Sequence, residues 1–198
     1  YNLENGAYHS EKIELRNSES FIKILSVSDN GQHIFWCEQK DDLPYLENGA
    51  QFGILDIKNE ILYQTNFKKG SERVWLAPAP CWSHNDEYIA IRSERNILVY
   101  SKTLDDRYVI DTREYTFVGF CFVEDCLYVI GELNGIPMLF RYDEKSGELI
   151  DSSELTGRSG FGGNIFEIEC VQSFDSEIVL ILHSCNIIEG DDINFGVG

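Results

Sequence analysis

Carboxylates are the residues with the most chemistry to offer in this chain. They cluster as Glu38 with Asp41 and Asp42, Asp105 with Asp106, Glu124 with Asp125, and Glu189 with Asp191 and Asp192. Paired carboxyls carry glycoside hydrolysis only when two of them converge across a cleft. Adjacency in sequence does not supply that, because neighbouring side chains diverge in a strand and face water in a turn. The clusters therefore read as solvated turns. Gly190-Asp191-Asp192-Ile193-Asn194 lacks the alternation and closing Glu of a calcium loop. The four histidines, His9, His33, His84 and His183, show no ligand spacing of the H-E-x-x-H kind. His84 reads as a turn residue. No G-x-S-x-G elbow is present. The glycine-rich run at 157–163 has neither a G-K-[ST] ending nor a helical pattern after it, so it lacks the backbone cradle of a phosphate loop and reads as a linker. The six cysteines form no C-x-x-C pair and sit in apolar runs such as Phe120-Cys121-Phe122, where a thiol acts as a small buried hydrophobe. No catalytic residue, metal site or cofactor is expected.

Binding is the better use of these charges. The net charge is −18, from 34 acidic and 16 basic residues. That balance opposes contact with nucleic acid or an anionic membrane, since neutralising phosphate needs Lys and Arg. No run approaches the roughly 20 apolar residues of a membrane-spanning helix. A basic protein partner is the chemistry that fits, because opposite charge speeds encounter. Pro44, Tyr45 and Leu46 lie beside Asp41 and Asp42, where Tyr45 reads equally as an aromatic anchor next to carboxylates or as a ring tucked onto its own blade. The candidate partner-binding residues are Asp41, Asp42, Tyr45, Asp105, Asp106, Asp191 and Asp192. Unpaired cysteines place the expected compartment in the cytoplasm.

These residues must be held by strands. Hydrophobic content is 43% and aromatic content 13%, enough for a core. Short apolar or alternating runs, such as 21–27, 51–57 and 96–100, are bounded by Asn, Asp, Gly and Ser. Nothing longer than about two turns keeps a 3.6-residue period. An apolar strand, a polar turn and a second apolar strand recur four times, around Ile34, Ile89, Leu127 and Val179. In the second unit the strands are expected at 74–82, 88–93, 96–101 and 107–112; in the third at 116–123, 127–132, 137–142 and 148–152. Asn134-Gly135 and Ser146-Gly147 supply the positive φ that the hairpins of the third unit need.

The second unit carries a resemblance. Pro80-Cys81-Trp82-Ser83-His84-Asn85-Asp86, followed by Glu87-Tyr88-Ile89-Ala90-Ile91, resembles the blade of TolB-like and WD40-like β-propellers. Such a blade reads Pro-x-Trp-Ser-Pro-Asp-Gly before an Ile-Ala strand. Pro80, Trp82, Ser83, Ile89 and Ala90 match, while His84, Asn85 and Asp86 replace Pro-Asp-Gly. In the first unit Ser28-Asp29-Asn30-Gly31 keeps the turn better. The resemblance implies a propeller-like scaffold and no catalytic residues.

The expected fold is all-β: one domain, 1–198, a four-bladed β-propeller-like ring of four-stranded antiparallel blades. The repeats span about 21–67, 74–112, 116–155 and 164–198, and a strand at 7–16 closes the ring. The expected function is a non-enzymatic, acidic protein-binding module, in its concrete form an immunity protein that neutralises a basic toxin. The competing expectation is a carbohydrate- or small-ligand-binding propeller, or a glycosidase-like enzyme, with a carboxylate-lined central pocket.

Overall fold

The structure, a computed structural model, describes residues 20–40, 45–46, 50–66, 73–75, 79–105, 107–114, 116–154, 166–174, 177–186 and 194–196. Every regular element among them is a β-strand. In chain order these are β1 (Phe21–Val27), β2 (His33–Gln39), β3 (Tyr45–Leu46), β4 (Gln51–Asp56), β5 (Ile61–Asn66), β6 (Val74–Trp75), β7 (Cys81–Trp82), β8 (Tyr88–Arg92) and β9 (Asn96–Ser101). They continue with β10 (Arg107–Asp111), β11 (Thr116–Val123), β12 (Cys126–Leu133), β13 (Ile136–Asp143), β14 (Leu149–Glu154), β15 (Phe166–Phe174), β16 (Glu177–Asn186) and β17 (Asn194–Gly196).

The strands form successive antiparallel sheets: β1-β2-β4-β5, then β7-β8-β9-β10, then β11-β12-β13-β14, then β15-β16-β17. The first three are four-stranded, and the fourth has three strands among the described residues. The first strands of the sheets lie side by side, β1 against β7, β7 against β11 and β11 against β15. This is the all-β, propeller-like arrangement expected from the repeats. The closing strand expected at 7–16 lies outside the described residues.

The repeat also shows in backbone irregularity. The register slips within the first strand of three sheets, between Ile24 and Ser26, Phe117 and Gly119, and Ile168 and Cys170. One extra residue there bends the strand and sharpens its twist, which a sheet must do to pack face-on against its neighbour.

Two apolar layers hold the array. Phe35, Cys37, Phe52 and Ile54 of the first sheet meet Trp82, Ile89, Ile91, Leu98 and Tyr100 of the second. On its other face the second sheet offers Ala90, Ile97, Val99 and Ile110 to Phe120, Phe122, Leu127, Val129 and Phe140 of the third. Being covered on both faces explains why Tyr88–Arg92 and Asn96–Ser101 read as nearly continuous apolar runs rather than alternating ones. Each fully buried Ile or Leu contributes about 1.5–3 kcal/mol by leaving water.

One expected strand splits. Residues 74–82 do not run as a single strand, because Val74 and Trp75 pair with Leu46 and Tyr45, while Cys81 and Trp82 pair with Ala90 and Ile89. The insertion of the first unit therefore reaches across to the second. Leu46 and Val74 sit buried in the layer between those two sheets.

Candidate functional site

The antiparallel pairings fix which turns share an end of the array. β1, β4, β7, β9, β11 and β13 all run toward one end, so the turns that follow them gather there. Hydrogen bonds between sheets confirm the alignment. The Asp86 carboxylate accepts from the backbone N–H groups of Asp29 and Asn30. Asn85 Nδ2 donates to Glu144 Oε1 at 3.0 Å, and the Tyr108 hydroxyl donates to the Glu144 carbonyl at 2.7 Å.

That end is strongly acidic. Its turns expose Asp29, Glu60, Glu87, Asp105, Glu124, Asp125 and Glu148, against the cations Lys58, Lys102 and Lys145. Lys102 Nζ is committed to Glu87 at 2.5 Å. Among the described residues the opposite end is closer to balance, with Glu94, Asp111, Glu114, Glu132 and Glu154 against Lys40, Arg73, Arg95 and Arg113.

The same side-chain device builds the first two turns. Ser28 Oγ donates to Asn30 Oδ1 and accepts from the His33 N–H, while Gln32 N–H donates to Asn30 Oδ1. Ser83, Asn85, Glu87 and Tyr88 repeat each of these bonds. Gly31, at φ +71°, supplies the left-handed residue in the first turn. Asp86 takes the same place at φ +57° in the second. Asp tolerates that region better than most residues, and here its carboxylate finds backbone donors on the neighbouring sheet. The departure from Pro-Asp-Gly at His84-Asn85-Asp86 thus preserves the turn.

Behind the exposed acids lie buried polar groups. His33 Nε2 is 3.7 Å from Asp56 Oδ2, and its ring packs 5.6 Å from that of Trp82. Burial pushes the Asp86 carboxyl above the usual range, and Asp29 adds to the shift while His33 opposes it. Glu144 has no exposed surface. Burial raises its carboxyl too, the bond from Asn85 opposes, and the charge of Asp125 adds. Asp143, in the same turn, is held below the usual range by hydrogen bonds from Ser146 and from the Lys145 N–H. Each raised carboxyl sits at a different sheet junction, Asp86 against the first sheet and Glu144 against the second.

Of the candidate partner-binding residues, Tyr45 and Asp105 are described; Asp41, Asp42, Asp106, Asp191 and Asp192 lie outside the described residues. Asp105 is exposed on the acidic end. Tyr45 lies at the other end, since β3 follows the far terminus of β2 and its partner strand β6 bridges through Val74 to Ser93. The two are not brought together. Tyr45 is half-buried. Its ring meets the edge of Trp75 at 5.8 Å, and the Arg73 guanidinium lies 4.7 Å over its face. A cation from this chain already takes the face that a partner's cation would use. Leu46, next to Tyr45 in the chain, is buried.

Cys37, Cys81, Cys121 and Cys126 form no disulfide. Burial pushes Cys37 up to about 12, which fits an inert core thiol. Among the described residues no three His, Cys, Asp or Glu side chains converge on a metal position. No helix among them is long and apolar enough to cross a membrane.

Sequence reasoning missed Glu144 and Asp86 as buried groups. Nothing in Asp143-Glu144-Lys145-Ser146-Gly147 distinguishes a buried Glu from a solvated one. The paired Ser-x-Asn steps at 28–30 and 83–85 were a usable signal for the shared turn.

No protein-family model matches this chain. No curated protein matches it either. Among solved structures, the β-propeller domain of the Trilobed protease from Pyrococcus furiosus is similar in fold, at 13% identity and a TM-score of 0.49. The match covers 91% of this chain, which spans 58% of that one.

Proposed function

We propose that this chain is a non-enzymatic binding module whose acidic end docks a basic protein. The observation that carries the reading is the segregation of charge among the described residues: the aligned turns of three sheets put a larger excess of exposed carboxylates on one end than on the other. Opposite potentials across such a face steer encounter and set orientation. The concrete form of the proposal is an immunity-type protein in the cytoplasm that covers the active face of a basic toxin, built on a scaffold of the TolB-like and WD40-like kind. The non-enzymatic reading draws support from the two raised carboxyls. Asp86 and Glu144 are 3% and 0% exposed, sealed where sheets meet, and a carboxyl without exposed surface cannot reach a substrate.

The test is affinity capture at low salt, elution at high salt, and a repeat with two variants. One variant neutralises Asp29, Asp105, Glu124 and Asp125 as Asn or Gln. The other neutralises Glu94, Glu114 and Glu132 at the opposite end. The proposal expects one basic protein, lost by the first variant and kept by the second. Equal retention by both variants contradicts it, and so does capture that salt does not weaken.

A further inference from the structure

The turn joining β13 to β14 is wedged into the second sheet, and Glu144 is its innermost side chain. The Glu144 carboxyl has no exposed surface. Its Oε1 accepts from Asn85 Nδ2 at 3.0 Å, and its Oε2 is buried with no hydrogen-bond partner. The backbone of the same residue is committed on both sides: its N–H donates to the Asp125 carbonyl at 3.2 Å, and its carbonyl accepts from the Tyr108 hydroxyl at 2.7 Å. One residue therefore ties together the first hairpin of the third sheet, the last hairpin of the third sheet and two elements of the second.

The charges around it do not favour a second anion. On its own turn stand Asp143 and Lys145; the β11–β12 turn presents Asp125, with Cys126 beside it; the second sheet presents the neutral Asn85 amide and the Tyr108 phenol. Lys145 is exposed, so water screens the charge with which it opposes the carboxylates. An ionised Glu144 thus buries a charge with one oxygen unpaired, a costly state. A protonated Glu144 keeps the Asn85 bond and removes the charge.

We propose that Glu144 is a proton-operated clasp between the second and third sheets. Uptake of one proton closes the clasp, and ionisation loosens the β13–β14 turn from the second sheet. The sign follows from linkage. A carboxyl raised in the native state binds its proton at a pH where the unfolded chain has lost it. Its stabilisation is complete below the unfolded value, about 4.3, and is lost as pH rises through the native midpoint. The array is tightest at its acidic end in mildly acid solution.

The test uses the full chain and two readouts. The first is the carboxyl carbon resonance of Glu144 followed by NMR from pH 3 to 8. The second is hydrogen-exchange protection of the Glu144 and Gly147 amides, corrected for intrinsic rate, in the wild type and in Glu144→Gln. The clasp expects the carboxyl midpoint above the ordinary glutamate range and protection that falls as pH rises through the same midpoint. The fall is about tenfold per unit of separation between native and unfolded midpoints. It expects Glu144→Gln to hold pH-independent protection. A carboxyl midpoint at or below the ordinary range overturns the proposal, whether or not the variant folds. Wild-type pH dependence surviving in Glu144→Gln also overturns it.

Discussion

Gly147→Ala should loosen the junction between the second and third sheets by an amount the structure sets. Gly147 sits at φ +70°, and a methyl group built on it would come 2.3 Å from Cδ2 and 2.7 Å from Cε2 of the Tyr108 ring. Two penalties follow. An L-residue in the left-handed region costs about 1–2 kcal/mol. Overpacking against a ring that cannot retreat costs about 1–3 kcal/mol more. The ring is held in place because its hydroxyl donates to the Glu144 carbonyl, so moving it forfeits that bond as well. Gly31→Ala is the matched control. Gly31 has φ +71° but nothing within 4 Å of an added methyl, so it bears the backbone penalty alone. Urea unfolding followed by tryptophan fluorescence measures both. With m near 2 kcal/mol/M, Gly147→Ala should unfold about 1 M earlier than Gly31→Ala. Adding Tyr108→Ala should shrink the gap, because the ring that clashes is gone. Equal midpoints for the two glycine variants would refute the packing argument at this junction.

Other outcomes follow from the same geometry. Asn85→Ala should destabilise more than Asn30→Ala by about 1–3 kcal/mol, because only Asn85 also donates to a buried carboxyl on another sheet; urea midpoints in mildly acid solution compare them. Leu127→Ala, in the layer between the second and third sheets, should cost about 2–5 kcal/mol, whereas Ile24→Ala, 60% exposed, should stay within about 1 kcal/mol. Asp111 is held down to about 2, chiefly by the Arg113 side chain. Its folded value is depressed, so whatever stability it adds is present above the unfolded value near 3.9 and lost as pH falls through about 2. Arg113→Gln should raise the Asp111 carboxyl titration toward the ordinary range by NMR, the bond from the backbone N–H of residue 113 remaining.

Local pattern and turn chemistry made much of the strand layout readable. β9 and β11 begin and end where sequence placed them, because each is an unbroken apolar run between turn residues. The Asn134-Gly135 and Ser146-Gly147 turns follow from their need for positive φ, which Asn134, Gly135 and Gly147 adopt. What sequence could not supply depends on contacts between distant segments. Val74 keeps one bridge to Ser93 of the second sheet, but Val74 and Trp75 take Leu46 and Tyr45 as their strand partners. The contact of Arg73 with the Tyr45 ring was out of reach too, because the two lie far enough apart along the chain that no local window joins them. Glu144 carries the ordinary signature of a solvated hairpin residue and is buried only because another sheet lies against it. The site was legible as charge and not as place: acidity is a property of composition, whereas its concentration at one end is a product of strand direction.

The central claim concerns that end, and hydrogen exchange of the chain with its captured basic partner tests it most directly. The account predicts new protection in the turns at 28–32, 83–87, 102–105 and 124–125, and none at 93–95, 113–114 or 132–135. Protection confined to the second set, or to the outer strands, would contradict it.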